Sequence, residues 1–160
     1  MTIKAGDKIP SAKLKTMTAE GPKDVTTDEI FSGKKVVLFA VPGAFTPTCS
    51  AKHLPGFVEK AAQIKSAGVD TIACLAVNDA FVMGAWGKDQ KVDSKILMLA
   101  DGSAAFTKAL GLELDLTGPG MGVRSKRYAM VVEDGVVKTL NVEAPGAFEV
   151  SSADAVLRAL

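Results

Sequence analysis

Two stretches of the chain are apolar on successive positions rather than on alternate ones. Val36-Val37-Leu38-Phe39-Ala40-Val41 is one, and Val69 to Val77, ending Ile72-Ala73-Cys74-Leu75-Ala76-Val77, is the other. Runs of this length read as strands buried on both faces, here over 35–41 and 69–77. A third short strand is expected from Ile96 to Leu99. Helical signals separate them. Thr46 is a good N-cap in front of Pro47, which suits a first helical position. Pro55-Gly56 is expected to interrupt that helix, leaving a short segment and a second helix over 55–66 that Gly68 stops. Asn78 or Asp79 caps the next helix, with Phe81, Val82 and Trp86 read onto one face.

Asp101-Gly102-Ser103 leads into a helix over 103–110 that ends at Gly111. Arg127 to Val132 and Val136 to Leu140 flank Glu133-Asp134-Gly135, a strong hairpin signal. Ser151 or Ser152 caps a last helix from Ala153 to Leu160. The opening segment to about Ile30 reads as an early hairpin or irregular strands, and Leu116 to Val123 as a glycine-rich loop. Strand–helix–strand–helix–strand, then a hairpin and a helix, predicts an α/β chain with a largely parallel centre.

Composition narrows the chemistry. The 160 residues suit one domain with a full core, and 48% apolar with 23% charged residues suits a soluble globule. With a net charge of +1 and lysines scattered along the chain, no basic stripe points to nucleic acid. The start, Met1-Thr2-Ile3-Lys4-Ala5-Gly6-Asp7-Lys8, lacks the apolar core of a signal peptide, and no run approaches membrane-spanning length, so a cytoplasmic setting is expected. Cys49, Cys74 and a single histidine, His53, are too few for a four-ligand zinc site. Redox or nucleophilic chemistry, or plain burial, is left for the cysteines.

Cys49 is the better candidate. In the register set by Thr46 and Pro47 it is the third helical residue, among backbone N–H groups without intrahelical partners. That end of a helix favours an anion, hence thiolate over thiol. The dipole alone is a modest effect, so a committed nucleophile here needs a cation beside it and something to stabilise its transition state. The chain has three arginines for that task, Arg124, Arg127 and Arg158.

The strand and helix order is that of a thioredoxin-like fold, with a central mixed, mostly parallel sheet flanked by helices. Where such a fold carries Cys-x-x-Cys, this chain has Thr46-Pro47-Thr48-Cys49. Pro42, Thr46 and Cys49 resemble the Pro-x-x-x-Thr-x-x-Cys signature of peroxiredoxins. Val41 to Pro47, His53-Leu54-Pro55-Gly56-Phe57, Val77 to Val82, Trp86-Gly87, and Arg127 ahead of Met130 to Gly135 are similar to the type II branch. The resemblance spans roughly residues 4–160. It implies that Cys49 is the peroxidatic cysteine, that Thr46 donates a hydrogen bond to peroxide, and that Pro42 shields the pocket. Arg127 would hold the thiolate and polarise the O–O bond. The implied reaction reduces hydrogen peroxide and small alkyl hydroperoxides through a sulfenic acid, with no metal, flavin or haem. Disulfide-forming members carry a resolving cysteine where this chain has Phe148-Glu149-Val150-Ser151. Glutathione with glutaredoxin, or a thioredoxin, is therefore the expected reductant.

Other residues have quieter readings. Cys74, mid-strand, reads as a buried structural cysteine, with a disulfide to Cys49 as the alternative. His53 reads as a structural or surface histidine. Gly118-Pro119-Gly120-Met121-Gly122 follows no strand into a helix, so a phosphate cradle fails and a loop near the active-site arginine is expected. The resemblance places Asp79, Phe81 and Trp86 at the face of a homodimer. Two competing functions remain at this stage. A protein-disulfide oxidoreductase lacks its second motif cysteine. A peroxide-sensing switch or binding module would use the same Cys49 chemistry without rapid recycling.

Overall fold

The structure is a computed structural model that describes residues 2–160. In chain order it contains β1 (Lys13–Thr18), β2 (Gly21–Thr26), α1 (Thr27–Phe31), β3 (Lys35–Ala40) and a π-helical turn, Cys49–His53. There follow α2 (Leu54–Ser66), β4 (Thr71–Ala76), α3 (Ala80–Asp89), β5 (Leu97–Ala100) and α4 (Ala105–Leu110). The chain ends with β6 (Glu113–Leu116), β7 (Gly122–Ser125), β8 (Tyr128–Glu133), β9 (Val136–Val142) and α5 (Ala153–Ala159).

Seven strands form one sheet in the order β2-β1-β5-β4-β3-β8-β9. This is the thioredoxin-like α/β arrangement expected, with a mixed sheet. The expectation of a mostly parallel sheet holds only at its centre, where β3 pairs with β4 and β4 with β5. The other pairings are antiparallel. The cause is the connections. Helical crossovers return a strand parallel, whereas the two-residue turns of β1–β2 and β8–β9 can only reverse it. In the second turn Asp134 and Gly135 both have positive φ, 47° and 77°, as a primed hairpin turn requires.

β3 is buried on both faces, which explains its unbroken apolar run. Val37 and Phe39 point into one layer with Phe57 of α2, Trp86 of α3 and Val156 of α5. Val36, Leu38 and Ala40 point into the other, with Ile30 and Phe31 of α1 and Phe106 and Leu110 of α4. Each fully buried large apolar side chain contributes about 1.5–3 kcal/mol, so the strand is a fixed platform for whatever follows it.

Three elements depart from expectation. α1 was hidden in the opening segment, although Thr26 and Glu29 form a full capping box at its start. The glycine-rich loop is the turn of a small separate hairpin, β6 with β7. In α3 the buried face is Ala80, Met83, Trp86 and Gly87, while Phe81 points outward at 66% exposure. Positions 81 and 86 lie about 140° apart on a helix, so they cannot share a face.

Candidate active site

β3 ends at Ala40, and the loop after it is fastened on three sides. Val41 N–H donates to the Leu75 carbonyl at 3.0 Å, and Ala44 N–H to Asn78 Oδ1 at 2.9 Å, tying the loop to the end of β4. Arg124, on β7, donates from Nε to the Met121 carbonyl at 2.9 Å and from Nη1 to the Pro42 carbonyl at 3.3 Å. Gly43 sits beneath that guanidinium. A Cβ there would lie 2.8 Å from Arg124 Nη1 and 3.1 Å from Thr46 Cγ2, so only glycine fits without displacement.

The helix opens as expected in its backbone, with Ser50 N–H donating to the Thr46 carbonyl at 2.9 Å. The Thr46 side chain does not cap it. Its hydroxyl turns back and donates to the Gly43 carbonyl at 2.7 Å. Cys49 begins the π-helical turn, in which Leu54 N–H reaches the Cys49 carbonyl. The expected division is present, a short π segment followed by α2 from Leu54 to Ser66, with the backbone helical through the junction and Pro55 in the first turn of α2. A proline ring crowds the carbonyl four residues back, here Ala51, and the wider π turn accommodates it.

Cys49 is fully buried, and Arg127 Nη2 donates to its sulfur at 3.1 Å. Arg127 directly precedes β8, whose Tyr128 pairs with Ala40 at the end of β3, so the sheet register itself brings the arginine to the loop. Nη1 of the same guanidinium meets His53 Nδ1 at 2.9 Å, and His53 Nε2 meets the Ser151 carbonyl at 2.8 Å. A carbonyl only accepts, so Nε2 carries the proton and Nδ1 accepts from the arginine. His53 is uncharged: burial, and then the charge of Arg127, push its pKa down to about 3. Its ring packs among Phe39, Phe57 and Phe148, with centroids 5.0, 5.6 and 4.9 Å away. The Arg127 guanidinium lies 5.9 Å from the Phe148 ring centroid.

Over the arginine opens a cavity of about 170 Å³, its apolar wall formed by Pro42, Leu114, Ala144 and Ala147 and its charged wall by Lys126, Arg127 and Glu143. A cavity this small, part apolar and part charged, suits a small polar substrate. Among the described residues no group of three His, Cys, Asp or Glu side chains forms that could hold a metal ion.

Pro42, Thr46, Cys49 and Arg127 thus converge on one loop and one strand end. Cys74 is a free, fully buried thiol in β4, and Cys49 is free as well. Burial first, and the neighbouring Cys49 second, push the Cys74 thiol well above its ordinary range. The dimer-face residues separate. Trp86 is fully buried, donating from Nε1 to Ser50 Oγ at 3.0 Å, and so cannot face a partner; Asp79 caps α3 by accepting from Val82 N–H. Asp79 and Phe81 are exposed, and Phe81 and Phe45 are the large apolar side chains at this surface. His53, expected to be a structural or surface histidine, is buried and bonded to the arginine. Arg124, one of the three candidate arginines, holds the loop rather than the sulfur, and Glu143 gave no signal in the sequence.

Comparison with known proteins agrees with this geometry. The Redoxin family matches residues 4–157. Peroxiredoxin-2E, chloroplastic, of Arabidopsis thaliana is 53% identical over 163 residues, covering 99% of this chain and 70% of that protein. The crystal structure of reduced Prx3 from Vibrio vulnificus in complex with hydrogen peroxide superposes with a TM-score of 0.95 at 59% identity, covering 99% of each chain. Peroxiredoxin 5 from Alvinella pompejana gives 0.87 at 38% identity, over 98% of this chain and 96% of that one. The chain belongs to the peroxiredoxins, in their type II branch, and is a thiol-dependent peroxidase.

Proposed function

We propose that Cys49 is the peroxidatic residue and that the enzyme reduces hydrogen peroxide and small alkyl hydroperoxides by way of a sulfenic acid. The observation that carries this reading is the 3.1 Å contact of Arg127 Nη2 with Cys49 Sγ, in a buried site whose only histidine is uncharged. The thiolate attacks the terminal peroxide oxygen. An S–O bond forms, the O–O bond breaks, and the sulfur loses two electrons to the peroxide. The departing oxygen takes a proton and leaves as water or an alcohol. Arg127, held by His53 with Nη2 on the sulfur, stabilises the charge as it moves from sulfur to oxygen. The Thr46 hydroxyl hydrogen is held by Gly43, so its oxygen accepts from the peroxide O–H, reversing the direction expected from the resemblance. Pro42 walls the pocket against water. The Vibrio relative, solved with hydrogen peroxide, supports the substrate.

Regeneration then needs a thiol from outside. Glutathione attacks the sulfenic acid, releasing water and leaving a mixed disulfide that glutaredoxin exchanges; a thioredoxin could do both steps. Position 148–151 holds no cysteine, and Cys74 is sealed in the core, which supports external recycling. These reductants suit a cytoplasmic enzyme. Phe45, on the loop after β3, and Phe81, at the start of α3, are 53% and 66% exposed on segments joined by the Ala44–Asn78 bond, and are the apolar surface we assign to a homodimer. Sedimentation at micromolar concentration should give two subunits, and a monomer would remove that assignment. The deciding experiment is peroxide consumption by wild type, Cys49→Ser and Cys74→Ala, with glutathione plus glutaredoxin and separately with thioredoxin plus its reductase. Loss confined to Cys49→Ser, with one reductant faster, is expected. Turnover indifferent to Cys49 would refute the reading, and reaction with peroxide without recycling would favour a sensor.

A further inference from the structure

The arginine that serves Cys49 has no carboxylate partner. The ion pairs among the described residues are Lys4–Asp7, Lys15–Asp24 and Lys35–Glu133. Yet a carboxylate stands next to it in the ladder, because Glu143 N–H donates to the Arg127 carbonyl at 2.9 Å. Glu143 uses its charge elsewhere. Its Oε2 accepts from the backbone N–H groups of Glu149, Val150 and Ser151 at 2.8, 2.9 and 2.8 Å, and from the Ser151 hydroxyl at 2.7 Å. That cluster fixes residues 149–151, and with them the Ser151 carbonyl to which His53 is bonded.

We infer that His53, anchored through Ser151 by Glu143, is the positioning residue that holds the Arg127 guanidinium on the Cys49 sulfur without neutralising it. A carboxylate in the place of His53 would hold the arginine equally well and would offset the charge the thiolate needs. An imidazole with one nitrogen pinned as donor presents the other as an uncharged acceptor. It aligns Nη1, and Nη2 is thereby aimed at sulfur. Only the sulfur then faces the arginine as an anion. The inference rests on the peroxidase reading for what Arg127 does to peroxide, and stands apart from it for what Arg127 does to the thiol.

The full-length variants His53→Phe, His53→Asn and Glu143→Gln test it. Phenylalanine keeps the ring among Phe39, Phe57 and Phe148 but removes both nitrogens; asparagine restores an uncharged acceptor near the Nδ1 position. Two readouts are taken, the pH–rate profile for iodoacetamide alkylation of Cys49 and the second-order rate constant with hydrogen peroxide. His53→Phe should move the alkylation profile to higher pH, by about one unit, and slow the peroxide reaction roughly 10–100-fold at neutral pH. His53→Asn should recover most of both, and Glu143→Gln should shift the profile in the same direction as His53→Phe. An unmoved profile in His53→Phe, or no recovery in His53→Asn, overturns the inference. Should His53→Phe not fold, an unmoved profile in Glu143→Gln overturns it. If wild type fails to consume peroxide while the alkylation profiles shift as stated, the peroxidase reading fails and the positioning role stands.

Discussion

Arg127 divides its fork between two neighbours, Nη2 on the sulfur of Cys49 at 3.1 Å and Nη1 on His53 Nδ1 at 2.9 Å. A lysine ammonium is a point charge on a flexible stem and cannot hold both directions at once. Arg127→Lys should therefore lower the second-order rate constant with hydrogen peroxide by about 10²–10³-fold, although the charge is kept. Stopped-flow consumption under single turnover measures it. A loss of less than about threefold would show that charge alone suffices.

Gly43→Ala separates geometry from stability. The new methyl meets Arg124 Nη1 at 2.8 Å and Thr46 Cγ2 at 3.1 Å. The arginine end can swing away, so unfolding should change by only about 1 kcal/mol. The displaced Thr46 and Pro42 should cost far more in kcat/KM for peroxide, about tenfold or above. Adding Arg124→Ala opens the space and should restore part of that loss; strictly additive effects would contradict a shared collision.

Acid should loosen the C-terminal side of the site. His53 is uncharged in the folded protein down to about pH 3, whereas an unfolded histidine takes a proton near 6.5. As pH falls from 6.5 toward 3 the unfolded chain gains that proton first, and stability is lost. Glu143 acts in the same direction at lower pH. Burial alone would raise its pKa, but hydrogen bonds from Ser151, Glu149 and Val150 outweigh this and hold it below the usual 4.5. Its contribution is present above that value and lost on protonation. Unfolding free energies from urea titrations at pH 7 and pH 4 should differ by a few kcal/mol, and His53→Phe should show much less of the difference.

Cys74→Ala should leave peroxide turnover within about twofold of wild type, because the thiol is fully buried and its pKa is raised. Cys74→Ser should retain the chemistry too but unfold more easily, by about 1–3 kcal/mol, since β4 offers the hydroxyl an apolar setting. Loss of turnover in a folded Cys74→Ala protein would return this cysteine to the reaction.

Pro42, Thr46 and Cys49 were readable because their spacing is local, on the segment directly after β3. Arg127 was readable from the family motif and from the hairpin it precedes. His53 and Glu143 were not, because their roles depend on partners 98 and 8 residues away, respectively, which no periodicity encodes. The α3 face was misread for another reason. Phe81 and Trp86 are both large and apolar, and composition outweighed the helical angle between them. In α1 the signal, Thr26 with Glu29, was present but lay in a segment too short and polar to suggest a helix.

The sheet order sets when Cys49 gains its arginine during synthesis. Cys49 precedes Arg127 by 78 residues, a delay on the order of ten seconds at ordinary rates of translation. Until β8 has emerged and added to β3, the sulfur has no guanidinium beside it, and until Ser151 follows, the arginine has no anchored histidine. On the peroxidatic reading of Cys49, a growing chain therefore carries the cysteine without its arginine, and reactivity arrives only once β8 and Ser151 have taken their places.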